Sequence, residues 1–309
     1  LRIKAIGVFA VIAFGLSGAS AGAAATTWPG DSATRTADGT NVFGTNLSGL
    51  SFENPNVAWA VKNGPSTLYR LVPSGTGWKV DQKRSLNFAD GQGDPDAEAV
   101  VATPDGLFVA IERDNDIGDV SRPMILKYGT GSNAIAEWEL GGMPEVDPND
   151  GPEAISWVPD SFLTQNGFKD DSGKTYNPAD YPGHGGGLFF VGLEATGEVY
   201  VYALQGTDAK LLSRFESGHS QVMDLEFNGG KLWAACDNNC SGRTTTLAIS
   251  SGKFRVTATY DRPARLPNVN LEGFAISPSC VSGKKVVLWA DDNNTNGHAL
   301  RSGLLNCAA

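Results

Sequence analysis

A closed, five-bladed β-propeller is the fold class predicted for this chain of 309 residues, and three observations predict it. A two-strand unit recurs five times. Its copies open near Ser48, Glu98, Glu153, Asp224 and Glu272, spaced 50, 55, 71 and 48 residues apart. About fifty residues is the length of one four-stranded propeller blade. The 38 glycines follow no Gly-X-Y period and imply many tight turns.

The elements follow in chain order. Residues 1–25 read as a secretory leader: Arg2 and Lys4, an apolar run over 6–16, then Ala19-Ser20-Ala21 and Ala23-Ala24-Ala25 as cleavage sites. Residues 26–309 form one domain. Each unit begins with a short apolar strand such as Glu98-Ala99-Val100-Val101, then a turn. A second strand ends in polar or acidic residues, as Leu107-Phe108-Val109-Ala110-Ile111-Glu112 does. Third and fourth strands are expected at 67–72 and 78–85, 124–128 and 135–140, 199–204 and 210–215, 245–249 and 254–260. Residues 160–187, rich in Gly, Asp, Asn and Pro, account for the long interval and read as a surface excursion. Only 37 residues follow Glu272, too few for a blade with its outer strand. Residues 34–43 are expected to supply that strand and close the ring, removing free sheet edges. A sixth blade fits only if the insertion conceals an irregular one, and a β-sandwich would have to produce the fivefold recurrence by accident.

With 34 acidic against 24 basic residues, the chain lacks the clustered cations of a nucleic-acid surface. No stretch after the leader is long and apolar enough for a membrane span. Export makes disulfides the expected state of the four cysteines, in one of three possible connectivities; the favoured one is Cys236–Cys240 across a tight turn with Cys280–Cys307 stapling the C-terminal segment. A zinc site at Cys236-x3-Cys240 lacks a second Cys or His pair at the usual spacing.

The innermost strand of a blade lines the channel, and four units open it with a carboxylate: Glu98, Glu153, Asp224 and Glu272. Glu112, Glu194, Asp237, Asp291 and Asp292 form a second acidic tier at the ends of the next strands. Converging carboxylates repel one another, and a bound cation relieves them; oxygen-only donors select a hard ion, Ca2+. Glu98, Glu153, Asp224 and Glu272 are the expected ligands. The alternative is that each acid accepts backbone N–H groups and stitches blade to blade. His219, just before the fourth unit, is the candidate general acid or base, with Glu112 and Asp291 as substrate-side acids. Arg113 and Arg301 are candidates for steering an anionic substrate. The absence of Gly-x-Ser-x-Gly and of βα alternation sets aside an α/β serine hydrolase.

Asn270-Leu271-Glu272-Gly273-Phe274-Ala275-Ile276, followed by Leu288-Trp289-Ala290-Asp291-Asp292-Asn293-Asn294, resembles the C-terminal signature of the "esterase-like activity of phytase" family. Leu47-Ser48-Gly49-Leu50-Ser51-Phe52 and Pro95-Asp96-Ala97-Glu98-Ala99-Val100 are similar to that family's first two repeats. The resemblance spans residues 47–294, and gluconolactonase-like and strictosidine-synthase-like propellers share such blade starts. It implies a secreted hydrolase of esters or phosphoesters with a divalent cation near the channel, held by Glu98, Glu153, Asp224 and Glu272. Ser48 departs from the acidic pattern and leaves one side of the ring open. The expected protein is a secreted monomer acting on a small-molecule ester or phosphoester. A non-catalytic binding propeller with a structural ion is the alternative, and a lactonase acting on a neutral substrate is a third class.

Overall fold

The computed structural model describes residues 24–118 and 120–309. The expected leader, 1–25, lies outside the described residues except for its last two. Among the described residues twenty strands form five antiparallel four-stranded sheets, so the fold is the five-bladed propeller that the repeats predict. A two-residue strand, β1 (Arg35–Thr36), opens the chain. Blade 1 comprises β2 (Leu47–Asn54), β3 (Val57–Lys62), β4 (Thr67–Ser74) and β5 (Gly77–Ser85). Blade 2 has β6 (Pro95–Thr103), β7 (Gly106–Asp114), β8 (Ser121–Tyr128) and β9 (Ala134–Glu139). Blade 3 has β10 (Pro152–Pro159), β11 (Gly187–Leu193), β12 (Glu198–Gln205) and β13 (Asp208–Glu216), with the helix α1 (Asp160–Gln165) between its first two strands. Blade 4 has β14 (Asp224–Asn228), β15 (Lys231–Ala235), β16 (Thr244–Ser250) and β17 (Lys253–Tyr260). Blade 5 has β18 (Leu271–Ile276), β19 (Lys284–Asp291) and β20 (Leu300–Asn306).

The ring closes as expected: β1 pairs with β20 through Arg35–Ser302 and Thr36–Arg301 and completes blade 5. Hydrogen bonding of N- and C-terminal segments in one sheet removes an edge at the point where the ring would otherwise open. The N-terminal segment adds a second clasp. Thr26 N–H donates to Thr259 O at 2.8 Å, and Trp28 packs against Trp289 and Trp233 at 5.6 and 6.4 Å between blades 4 and 5.

Apolar residues on the two faces of each sheet build the core between blades, as the period-two alternation requires. The inner strands are too close-packed for side chains at some positions. A Cβ at Gly49 would lie 2.4 Å from Ala99 Cα, and one at Gly273 would lie 2.4 Å from Ser48 O, so glycine sets the distance between neighbouring blades there. Blades 1 to 4 each carry a register shift between third and fourth strands, at Arg70/Leu71, Lys127/Tyr128, Val201/Tyr202 and Thr246/Leu247. Such bulges add right-handed twist to the outer edge of a blade.

The insertion between β10 and β11 is anchored by a few buried side chains, while most of its residues stay exposed or half-buried. Leu163 and Phe168 are fully buried, and Tyr176 and Tyr181 join them against Phe190 and Phe254 of blades 3 and 4. Each such side chain contributes about 2–3 kcal/mol by leaving water, enough to hold a segment that is otherwise Gly- and Asp-rich. His184 ties it down further, its Nε2 at 2.9 Å from Asp160 Oδ2 and 3.0 Å from the Tyr176 hydroxyl. Both expected disulfides, Cys236–Cys240 and Cys280–Cys307, are formed. Among the described residues no helix is long and apolar enough to cross a membrane.

Candidate metal centre at the axial mouth

Strand pairing aligns the five blades residue by residue. Leu50, Val100, Ile155, Leu225 and Phe274 of the inner strands pair with Ala60, Val109, Val191, Ala234 and Trp289 of the second strands. Two residues before the first set stand Ser48, Glu98, Glu153, Met223 and Glu272. Three residues after the second set stand Asn63, Glu112, Glu194, Asp237 and Asp292. Both sets fall at the same end of the propeller, because the start of each inner strand lies beside the end of the next strand.

This alignment revises the fourth unit. Met223, not Asp224, occupies the leading slot, and Asp224 sits where the other blades have Gly49, Ala99, Ala154 and Gly273. Register explains the difference. Glu98, Glu153 and Glu272 each lie inside a shift, at Ala97/Ala99, Pro152/Ala154 and Leu271/Gly273. A bulge re-aims the extra side chain out of the strand's alternation, here towards the mouth. The β14–β15 ladder runs without a shift from Asp224–Ala235 onward. Asp224 is fully buried, and its Oδ2 accepts N–H groups from Phe274 at 2.7 Å and Leu50 at 3.3 Å, while Oδ1 accepts that of Leu225 at 2.8 Å. It stitches blades 4, 5 and 1 together, which was the alternative role for these acids.

Two overlapping carboxylate triads gather at the mouth: Asp96, Glu98 and Glu112, and Glu112, Glu153 and Glu194, with donor oxygens inside each triad within 4.8 Å of one another. Sequence reasoning missed Asp96 as a member. The alternation Asp96-Ala97-Glu98 was the signal that could have found it. Amide side chains steady several acids. Asn63 Nδ2 donates to both Glu98 oxygens at 3.1 and 3.3 Å, Gln221 Nε2 to Glu194 Oε1 at 2.8 Å, and Asn270 Nδ2 to Glu272 Oε1 at 2.7 Å. Gly151 N–H donates to Glu112 Oε1 at 2.8 Å.

The electrostatics are those of crowded, buried like charges. Burial, reinforced by Asp96, Glu112 and Glu272, holds the Glu98 carboxyl well above its usual range. Burial and then Glu98, Glu112, Glu272 and Glu194 do the same to Glu153, and burial and Asp292 to Glu272. Glu112 is pushed up to about 7 by burial, with Asp96 adding to it, and Glu194 to about 7 by burial, Asp150 and Asp237. Among the described residues, the buried oxygens Glu112 Oε2, Glu153 Oε2, Glu272 Oε2 and Asn63 Oδ1 have no hydrogen-bond partner. A buried acceptor left unpaired costs about 1–3 kcal/mol. A set of oxygen donors in that condition has the chemistry of a site for a hard cation.

The remaining candidates lie elsewhere or are already engaged. Arg113 reaches the mouth but is held there, with Nε 2.7 Å from Asp96 Oδ2 and its Nη1 and Nη2 donating to Pro148 O and Asn149 Oδ1. Arg301 is buried under the turn after β19 and pairs with Asp291, Nη2 to Oδ2 at 3.2 Å. Asp291 also accepts from the backbone N–H groups of Asn293 and Thr295, both at 3.2 Å, so it shapes that turn, while Asp292 occupies the second-tier position. His219 stands beside the Cys236–Cys240 disulfide rather than among the carboxylates. Its Nε2 donates to Ala234 O at 3.3 Å, and burial pushes its pKa down to about 4.

Comparison with solved structures agrees with the architecture. The chain is similar to the glutaminyl cyclase of Myxococcus xanthus, with TM-score 0.50 and 13% identity over 88% of this chain and 97% of that one. It is also similar to the Pan2 WD40 domain of Neurospora crassa (TM-score 0.43, 9% identity, 85% of this chain and 63% of that one). A chain of the mitotic checkpoint complex matches at TM-score 0.42 and 11% identity, over 84% of this chain and 61% of its own length. At 13% identity the likeness to the cyclase is one of fold. No protein-family model and no curated protein matches the sequence.

Proposed function

We propose that this protein is an exported, monomeric propeller that binds a divalent cation, Ca2+, at its axial mouth and hydrolyses an ester there. The buried oxygens of Glu112, Glu153 and Glu272 carry this reading, since they have no hydrogen-bond partner among the described residues and the nearby Arg113 is already held by Asp96. Asp96, Glu98, Glu112, Glu153 and Glu194 would hold the ion, and Glu272 would lend charge from blade 5. When bound, the ion supplies Lewis-acid polarisation of an ester oxygen and a more acidic water. The chain's own part is positional. Asn63, Asn270, Gln221 and Gly151 N–H orient the carboxylates, and Glu194, partly exposed above the buried Glu153, faces the solvent from which substrate arrives. Arg113 and Arg301 are both held by carboxylates, so a neutral ester meets less repulsion at this acidic mouth than a phosphoester does. The resemblance of its short motifs to those of the esterase-like family points to the same class, and the two disulfides and the leader to export.

A specific observation favours a second reading, a binding propeller with a structural ion: Glu98 and Glu153 are only 3% and 4% exposed, which leaves little room for substrate at the inner carboxylates. One experiment separates the two. The protein is stripped with chelator, titrated calorimetrically with Ca2+ and Mg2+, and assayed on p-nitrophenyl acetate and p-nitrophenyl phosphate beside Glu98→Gln. The hydrolase reading expects stoichiometric Ca2+ binding and ion-dependent acetate turnover lost in the variant. Binding without turnover leaves the structural-ion reading, and no binding of either ion ends both.

A further inference from the structure

We propose that His219, Cys236 and Cys240 form a second metal site, one for a soft ion such as Zn2+, which exists only while the Cys236–Cys240 disulfide is reduced. A ring nitrogen of His219 and both sulfurs lie within 4.8 Å of one another. The sequence offers Cys236-x3-Cys240 without a nearby third ligand. The fold supplies it from the segment that leads into β14. The Cα atoms of the two cysteines are 5.7 Å apart. Two sulfurs bound to one tetrahedral Zn2+ at 2.3 Å lie about 3.8 Å apart, a separation their side chains reach by rotating on the same backbone.

The backbone holds that arrangement without the S–S bond. Cys236 N–H donates to Arg243 O at 3.0 Å, Gly242 N–H to Asp237 O at 2.7 Å, and the Asp237 carboxylate accepts Asn239 N–H at 2.9 Å. The imidazole is buried enough to stay neutral near pH 7, as a metal ligand must. Its Nε2 contact with the Ala234 carbonyl fixes the ring's orientation. Access comes from a surface pocket of about 420 Å3 lined by His219, Ser220, Asn239, Cys240, Ser241 and Arg243, with the Arg243 guanidinium drawn off by Asp261 at 3.1 Å.

The chemistry balances with a dithiol as reductant. Two electrons and two protons pass from the dithiol, which becomes a cyclic disulfide, to the Cys236–Cys240 bond, giving two thiols. Binding of M2+ by the two thiolates then releases two protons. Disulfide and metal ion thereby act as alternative clasps on one loop, and that loop carries Asp237 of the mouth's second tier.

The test uses the full chain with excess Ca2+ present to occupy the carboxylate mouth. Oxidised and dithiol-reduced protein are freed of reductant without oxygen and titrated with Cd2+, and the sulfur-to-cadmium charge-transfer absorbance is followed. Reduced wild type is expected to bind one Cd2+ with that absorbance and oxidised protein to show none. Reduced Cys240→Ser should lose the absorbance, and reduced His219→Ala should weaken binding at least about tenfold. Equal Cd2+ absorbance in reduced wild type and reduced Cys240→Ser assigns it to Cys280 and Cys307 and overturns the proposal. So does reduced wild type without absorbance, or a chain that unfolds on reduction as read by circular dichroism.

Discussion

Stripped of cations, the protein should be less stable at about pH 7.5 than at about pH 5, and Ca2+ should abolish the difference. Glu112 provides the magnitude. Its folded pKa is about 7 against 4.5 for the free side chain, so between those values the folded chain holds a proton that the unfolded chain has lost. A raised carboxyl pKa contributes stability that is fully present below the unfolded value and disappears as pH climbs through the folded one. At about 1.4 kcal/mol per pKa unit, Glu112 alone accounts for roughly 3 kcal/mol. Glu98, Glu153 and Glu272 shift in the same direction and add to the loss. For a domain of this size each kcal/mol moves the Tm by about 2–4 °C, so the chelated protein should melt on the order of 10 °C lower at the higher pH. A bound ion favours the ionised carboxylates, and Ca2+ should therefore raise the Tm at the higher pH far more than at the lower. Calorimetric melts at both pH values, with chelator and with millimolar Ca2+, measure all four quantities. Equal melting temperatures in chelator at the two pH values, together with no response to Ca2+, would refute the electrostatic reasoning from which the site is built.

Four further outcomes can be checked on the same preparation. Glu153→Gln removes one of the crowded charges, so the chelated variant should melt a few degrees above wild type near neutral pH, yet lose the stabilisation by Ca2+. Asp224→Ala leaves the N–H groups of Leu50, Phe274 and Leu225 without their acceptor and should destabilise by about 3 kcal/mol or more in urea unfolding; calorimetry should find Ca2+ affinity unchanged, and a large loss of affinity would return Asp224 to the ligand set. Gly273→Ala drives a methyl group to 2.4 Å from Ser48 O and 2.7 Å from Ala290 Cβ, and a cost of about 1–3 kcal/mol is expected from the urea midpoint. Phe168→Ala should cost about 3–5 kcal/mol if the insertion is part of the core, whereas a shift under about 0.5 kcal/mol would mark it as surface.

The acids at the mouth show how far the linear pattern reached. Glu98, Glu153 and Glu272 were legible because each opens a repeated apolar strand, and repetition itself marks equivalent places in successive blades. Glu194 and Asp237 ended their strands visibly for the same reason. Asp224 looked like a fourth member because it too precedes apolar residues, but the repeat leaves its position uncertain by one. Asp291 and Asp292 posed the same ambiguity, and the ladder gave the mouth to Asp292 and the turn to Asp291 with Arg301. The anchors of the insertion were not legible for another reason: its composition is dominated by turn formers, while the few aromatics that hold it find partners in blades 3 and 4 that no local pattern reveals.

The sequence by itself pointed to the all-β class, to five blades with a sixth left open, to a closing strand before blade 1 and to a favoured pairing of the four cysteines, because each is written as recurrence, alternation or proximity along the chain; the structure settled the blade count and the pairing. Only the tertiary structure decided which carboxylates meet. Side chains alternate across a strand with a period of two, so one inserted residue carries a carboxylate from one face to the other. Bulges at Glu98, Glu153 and Glu272 and their absence at Asp224 are settled by the fit of neighbouring strands and blades. The same holds for His219, which reaches the Cys236–Cys240 loop only because the ring folds that segment back beside it.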